Sequence, residues 1–184
     1  MTDIYNWLVN ENRTNNIGNY FYVKDLVTVL TGKEDANFAS QNGRYKFFTC
    51  SENVLLCDTY KYDNSSILIA GNGSFNVKHY SGKFNAYQRT YILTPDKKYY
   101  SALYLSCLNE IKNLRTKASG SIVKFITKEI VDNIKVFIPN SITILDNLNN
   151  MMVLKELNTN ENDKLLKLKQ ILLPLLMNGQ ATID

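Results

Sequence analysis

The C-terminal stretch Ser141–Gly179 is the strongest constraint on what this chain can fold into. Leu145, Leu148 and Met152 follow helical three-and-four spacing, as do Leu154 and Leu157, and after the polar interval Asn158–Asp163 the pattern resumes at Leu165, Leu168, Leu172 and Leu175. A continuous helix over 142–178 would extend about 55 Å at ~1.5 Å per residue. That is far longer than a domain in a 184-residue chain needs to cover its own core. The sustained a/d-like seam therefore predicts packing against another long helix. The candidate interface positions are Leu145, Leu148, Met152, Leu157, Leu165, Leu168, Leu172 and Leu175. The polar interval could instead be a turn that folds the segment into an α-hairpin, and the pattern allows both. Pro174 predicts a kink or a frayed end, and Gly179 a stop.

The region from Tyr20 to Asn140 reads differently. Twelve Tyr and eight Phe against one Trp, with many β-branched residues, favour a strand-containing fold over a plain bundle. Candidate strands are Val27–Leu30, Tyr45–Thr49, Asn53–Leu56, Ser66–Ala70, Phe75–Tyr80, Phe84–Leu93, Ser121–Phe125 and Ile134–Ile138, several bounded by Gly or Asn clusters. Ser81-Gly82-Lys83 separates two alternating runs and predicts a hairpin turn. Period-two geometry then places Asn85, Tyr87, Arg89 and Tyr91 on one strand face, and Asn76, Lys78 and Tyr80 on a face of the other. Tyr99–Leu114 has helix spacing, with Tyr100, Tyr104, Cys107, Leu108, Ile111 and Leu114 as its apolar stripe. Thr127 predicts the cap of a short helix ending near Asn133, followed by a strand that Pro139 ends. Ile4–Leu8 predicts a short apolar contact, and the Asn-rich stretch Asn10–Asn19 a linker. The expected organisation is a segment 1–19, a strand-rich domain 20–140 and a helical arm 141–184.

Charge is concentrated in the middle of the chain. Between Lys78 and Lys128 lie ten basic residues (Lys78, Lys83, Arg89, Lys97, Lys98, Lys112, Arg115, Lys117, Lys124, Lys128) and two acids, Asp96 and Glu110, whereas the whole chain carries a net charge of only +4. Tyrosines and amide side chains are interleaved with the bases. Lys and Arg gain affinity for a polyanion by releasing its condensed counterions. Amides read base edges, and aromatic rings stack on bases or pack on sugars. The same pattern also suits a solubilising surface over core tyrosines.

Catalytic signals are sparse. His79 is the single histidine, sits in a predicted strand, and has no nucleophile at a recognisable spacing, which argues against a Ser–His–Asp or Cys–His device. Gly71, Gly73 and Gly82 match neither a phosphate-binding loop nor a dinucleotide fingerprint. Pro95-Asp96 with Glu110-Ile111-Lys112 imitates a magnesium-nuclease spacing, but that chemistry needs Glu and Lys on one side of a strand. Here they fall in a predicted helix, where i and i+2 diverge. Cys50, Cys57 and Cys107 are odd in number, lack CxxC spacing and sit in apolar surroundings, so buried thiols in a reducing cytosol are expected, with no metal site. Met1–Asn19 has no signal-peptide pattern, and no run approaches the ~18 apolar residues that span a bilayer. A cytoplasmic location is the resulting expectation.

Several motifs together carry a family resemblance. Ile69-Ala-Gly-Asn-Gly-Ser-Phe-Asn-Val77, Gly82-Lys-Phe-Asn-Ala-Tyr-Gln-Arg-Thr90 and Lys117-Ala-Ser-Gly-Ser-Ile-Val-Lys-Phe-Ile126 resemble the target recognition domain of type I restriction–modification specificity subunits. The order of landmarks is similar too: Val23-Lys-Asp-Leu-Val27 with Thr31-Gly32, then the glycine turn, the hairpin, a helix, Gly-Ser-x-x-Lys, and Ile138-Pro139 before a long helix. Leu168-Lys-Gln-Ile-Leu-Leu-Pro-Leu-Leu-Met-Asn-Gly179 resembles the end of that family's helical spacer. The similarity covers residues 20 to 180.

The resemblance implies an α+β fold, an irregular β-helix-like sheet with flanking helices and a long C-terminal arm. It implies a subunit without chemistry of its own that binds duplex DNA and docks modification methyltransferase subunits, with a separate restriction/translocase subunit. No cofactor is expected on this chain; S-adenosylmethionine belongs to the partner methyltransferase. Family members carry two recognition domains and two arms, and no internal repeat is present here. The chain looks like a half-length version or a fragment, for which a homodimer through antiparallel C-terminal helices is expected. Here Pro139 is followed by Asn-Ser-Ile-Thr-Ile-Leu where the family tends to place a Gln. On this reading Lys78, Lys83, Lys117 and Lys124 contact phosphates, and Asn72, Asn76, Gln88 and Arg89 are candidates for base readout, with Tyr87 and Ser119 beside them. The alternative is a non-enzymatic protein-interaction module using the long helix and a basic surface.

Overall fold

The computed structural model describes residues 1–118 and 125–178, with the backbone alone for 115–118. It is a mixed α+β structure with a sheet and a long C-terminal helix. The chain opens with α1 (Thr2–Asn15), whose Tyr5 and Leu8 are buried. The Tyr5 hydroxyl donates to the Phe137 carbonyl at 2.8 Å and also bonds Ser106. The expected linker Asn10–Asn19 is therefore replaced by the end of a helix and the start of a strand. Its asparagines manage the reversal between them. Asn16 adopts a left-handed conformation (φ 49) that closes the helix, and Asn12 Oδ1 accepts from the Gly18 N–H at 2.7 Å. β1 (Gly18–Tyr22) follows, then the single turn α2 (Val23–Leu26).

The main sheet has six strands in the order β2-β7-β5-β6-β3-β4. They are β2 (Val29–Thr31), β3 (Tyr45–Phe48), β4 (Leu55–Cys57), β5 (Tyr62–Ala70), β6 (Val77–Ala86) and β7 (Thr90–Leu93). All neighbours are antiparallel except β3 and β6, which run parallel. The expected strands at Tyr45–Thr49 and Ser66–Ala70 are present, the latter four residues longer at its start. Those expected at Val27–Leu30 and Asn53–Leu56 are shifted toward the C-terminus. Most of the candidate strand Ser121–Phe125 lies outside the described residues.

The expected turn at Ser81-Gly82-Lys83 is not a turn. β6 passes through it without reversal, because β5 is long enough to pair with the whole run: Ile69 faces Val77 at one end and Tyr62 faces Phe84 at the other. Gly82, at φ 128, is absorbed within the strand. The chain reverses instead at 71–76, where Gly73 (φ 69) and Phe75 (φ 44) supply positive φ, and at 87–89. The single polar face expected from Asn85 to Tyr91 is consequently broken by this second turn.

α3 (Tyr100–Ala118) carries the predicted apolar stripe into the core, and packs against β6, α1, β8 and α5. α4 (Lys128–Asp132) is capped by Thr127, whose hydroxyl accepts from the Ile130 N–H at 3.3 Å, and Asn133 closes it as expected. β8 (Lys135–Pro139) then pairs with β1 as a second, two-stranded sheet, Gly18 opposite Pro139. Cys50, Cys57 and Cys107 are all buried free thiols.

α5 (Ile142–Met177) is one helix, so the hairpin alternative is excluded. Ser141 caps it, and Asn158–Asp163 stay helical. The seam divides along its length: Leu145, Leu148 and Met152 are 2%, 1% and 3% exposed and belong to the domain's own core. They are not free for a partner. Leu157, Leu165, Leu168, Leu172 and Leu175 are exposed. Among the described residues, no helix is long and apolar enough to cross a membrane.

Candidate nucleic-acid interface

One end of the main sheet gathers the turns, and main-chain bonds fix them. The tight turn Tyr87-Gln88-Arg89 between β6 and β7 closes with the Thr90 N–H on the Tyr87 carbonyl at 2.8 Å. From one side, the Gln88 N–H donates to the Glu34 carbonyl (2.9 Å), and the N–H groups of Lys33 and Glu34 donate to the Ala86 carbonyl (3.2 and 3.3 Å). From the other, the Tyr87 N–H donates to the Phe48 carbonyl and the Gly71 N–H to the Arg89 carbonyl, both at 2.9 Å. Gly71 extends the lattice, since its carbonyl accepts from the Ile126 N–H at 2.7 Å and the Tyr91 hydroxyl donates to the Ile126 carbonyl at 2.9 Å. These approaches need glycine. A Cβ on Gly32 would stand 2.2 Å from the Tyr87 carbonyl oxygen, and one on Gly71 2.6 Å from that of Arg89.

What this rigid end presents is polar. Gln88 and Arg89 are exposed, and no other described residue bonds the Arg89 guanidinium. Both border an open cavity of about 270 Å³ lined also by Gly71, Tyr91, Phe125, Thr127 and Lys128. Asn72, half-buried, lies on the neighbouring turn. A short turn held by its backbone, with long amide and guanidinium side chains projecting, is suited to enter a groove and make bidentate bonds.

Other expected contact residues serve the fold instead. Asn76 Nδ2 donates to the carbonyls of Cys50 and Ser51 and to the Ser74 hydroxyl, and Lys78 donates to Ser51 and Asn76 Oδ1. Burial pushes the Lys78 ammonium below its ordinary range. Both side chains pin the loop after β3 to β6. Asn85 is buried at 2% exposure, its Nδ2 reaching Glu34 at 3.5 Å and its Oδ1 accepting from the Ala86 N–H. Lys83 is exposed over the Tyr60 ring, 4.6 Å from its centroid. It stands five residues along β6 from Lys78, roughly 17 Å and on the other face. Lys97 and Lys98 lie at the opposite end of the sheet, beside α5. The described bases of the window are thus not one patch: Arg89 and Lys128 share the turn-rich end, whereas Lys83, Lys97 and Lys98 lie elsewhere. The side chain of Lys117 and all of Ser119 and Lys124 lie outside the described residues.

Sequence reasoning missed Glu34 and Asp35. Asp35 Oδ1 accepts from Gln88 Nε2 at 3.1 Å, so acidic groups border the Tyr87–Arg89 turn. Only a residue-by-residue pairing of 33–35 with 86–88 would have exposed them, and no local pattern announces that.

The remaining chemistry is structural. Glu110 and Lys112 are both on α3, which disperses the nuclease-like spacing. His79 sits edge-on to the Tyr104 ring at 5.0 Å, and burial, aided by Lys155, holds its pKa at about 4. Among the described residues, no three His, Cys, Asp or Glu side chains are grouped to hold a metal ion.

Comparison with known proteins agrees with this architecture. A family model, the type I restriction modification DNA specificity domain, matches residues 16–170. The type I restriction enzyme EcoDI specificity subunit of Escherichia coli is 36% identical over 165 residues, covering 86% of this chain and 37% of that protein. In fold, the chain is similar to the S subunit of a type I restriction-modification system from M. genitalium, with a TM-score of 0.72 at 12% identity over 97% of this chain and 49% of that one. A chain from a structural study of assembly and conformational transition of the type I R-M system gives 0.51 at 13% identity, over 95% and 52%. The chain therefore spans about a third of the curated relative and about half of the solved ones. With 155 residues inside the matched range, a sheet end built of polar turns and an exposed helical arm, the chain belongs to the type I restriction–modification DNA specificity domain family.

Proposed function

We propose that the chain is a non-catalytic DNA-sequence-specificity subunit of a type I restriction–modification system, reading one half-site of duplex DNA and docking modification methyltransferase subunits. The observation that carries the reading is the backbone-clamped turn that presents Gln88 and Arg89 at an open, polar sheet end. Lys128 and the half-buried Asn72 flank it. The division into a segment 1–19, a recognition domain 20–140 and an arm 141–184 is part of the proposal. So are a cytoplasmic location, the restriction/translocase subunit as a further partner, and the absence of a cofactor on this chain, S-adenosylmethionine residing in the methyltransferase.

The arm assembles the complex. From Leu154 to Leu175 its leucines are exposed, and a second copy packed antiparallel as a coiled coil would cover them while presenting two reading turns with two-fold symmetry. Truncation should fall after Asn158, which spares Leu145, Leu148 and Met152. The shortened chain is expected to lose both dimerisation, by sedimentation, and co-purification with the methyltransferase.

For the reading turn, Arg89→Ala is expected to weaken binding to the selected sequence by about 1–3 kcal/mol while leaving random duplex nearly unchanged. Equal loss on both would move Arg89 to the phosphate-contacting class. The same exposed leucines also favour a second reading, a protein-interaction module with a basic surface. Salt-dependent selection from a duplex library separates the two, since the module would enrich no sequence.

A further inference from the structure

We propose that Asp35 sets the purine preference of the reading turn. By occupying one of the two amide hydrogens of Gln88, it leaves that side chain one donor and one acceptor, which adenine matches and guanine does not. The inference rests on the DNA-reading function proposed above. Its geometry is independent of which sequence is read.

Asp35 does not sit near Gln88 by chance of rotamers alone, because the main chain holds the two together. Glu34 bridges Tyr87 in parallel fashion, and the Gln88 N–H donates to the Glu34 carbonyl at 2.9 Å. Downstream, the Phe38 N–H donates to the Asp35 carbonyl at 3.1 Å, and the Phe38 ring packs edge-on against buried Phe47 at 5.7 Å. The main chain thus places Asp35 beside the turn, and Gln88 Nε2 donates to its Oδ1 at 3.1 Å. A carboxylate fits poorly in a surface that serves only to hold phosphates, since it repels them. Fixing a neighbour's hydrogen-bonding pattern gives it a reason to be there.

The consequence follows from donor and acceptor arithmetic. In the major groove adenine offers the N7 acceptor and the N6 donor, whereas guanine offers two acceptors, N7 and O6. An unconstrained glutamine turns its amide to suit either. With one Nε2 hydrogen held by Asp35, the amide flip is set. The remaining N–H and the Oε1 atom meet adenine with both bonds satisfied. Against guanine, Oε1 confronts O6, two acceptors with no proton between them, and the mismatch is felt as an unpaired polar group.

The test uses the full chain, alone and with its modification subunits, on a duplex selected from a random library and then varied through all four base pairs at each position. Gln88→Ala identifies its position as the one where preference flattens. Asp35→Ala is expected to shrink the adenine-over-guanine ratio there by about three- to tenfold, through gained guanine binding, with other positions unchanged. Asp35→Asn, whose amide can flip to donate as readily as accept and so no longer sets the orientation of Gln88, is expected to shrink the ratio too, and to bind all duplexes more tightly through the lost charge. An unchanged ratio in Asp35→Ala or in Asp35→Asn overturns the proposal, as does a Gln88→Ala variant that flattens nothing. Unaltered melting of each variant excludes unfolding as the cause. If the unsubstituted chain enriches no sequence, the DNA-reading function itself falls, and this inference with it.

Discussion

Gly71 shows how closely the Tyr87–Arg89 turn is built. The Cβ of Gly71→Ala would stand 2.6 Å from the Arg89 carbonyl oxygen, which belongs to the turn's own backbone and cannot swing aside as a side chain would. The substitution is expected to destabilise the fold by about 1–3 kcal/mol, read as a lower urea midpoint, and to weaken sequence-specific binding through the displaced turn. At this scale the sequence was partly legible. Gln88 and Arg89 stood out by residue type as candidates for base readout, a role that belongs to the proposal, and the structure places both, exposed, on one turn. Asn76 and Lys78 looked equivalent by residue type and alternation, yet their partners are the carbonyls of Cys50 and Ser51, some 25 residues earlier. Period-two reasoning says which face a residue occupies, but not what long-range segment lies across that face. Cys107 was legible as a buried thiol, and burial pushes its pKa up to about 12, well away from reactivity.

Elements expose a different blindness. In α5 the hydrophobic period runs from Leu145 to Leu157 and resumes at Leu165, and its one interruption, Asn158–Asp163, does not coincide with the place where burial ends and the free arm begins. The boundary is visible only in the packing, where Leu145, Leu148 and Met152 are buried whereas Leu154 and Leu157 are exposed. Leu148→Ala should therefore cost about 2–4 kcal/mol in chemical denaturation, a cavity in the core. Leu168→Ala, on the exposed arm, should leave the monomer's stability within about 0.5 kcal/mol and instead lower self-association in sedimentation. The 81–83 segment makes the same point for strands. Its Ser-Gly-Lys composition suits a turn, but a long neighbouring strand offered hydrogen bonds along the whole length, and pairing overrode local preference.

For the molecule as a whole, His79 couples the fold to pH. It is half-buried between the sheet and α3, and its pKa of about 4 in the folded state lies below the ordinary 6.5, from burial first and Lys155 second. A lowered value means the unfolded chain takes up the proton sooner. The His79 contribution is then fully present above pH 6.5, drains as pH falls toward 4, and is flat below that. Discounted for partial solvent access, the loss is about 1–2 kcal/mol. Unfolding free energies from urea titrations at pH 7.5 and 4.5 should differ less in His79→Gln by that amount. Fold class and family were legible at this scale because the order of landmarks survives where individual strands shift. The gathering of charge was not, since among the described bases Lys83, Lys97 and Lys98 stand away from the turn-rich end that holds Arg89 and Lys128.

The unbroken α5 also acts as a ruler with a built-in protractor. Its root is fixed, so each residue added to the free portion would carry the tip outward by about 1.5 Å and rotate it by roughly 100°. Four extra residues nearly restore the original phase about 6 Å farther out, whereas two turn the leucine stripe almost to the opposite side. Length changes in whole turns would thus re-space whatever is attached to the tip without re-aiming it, and any other increment would do both.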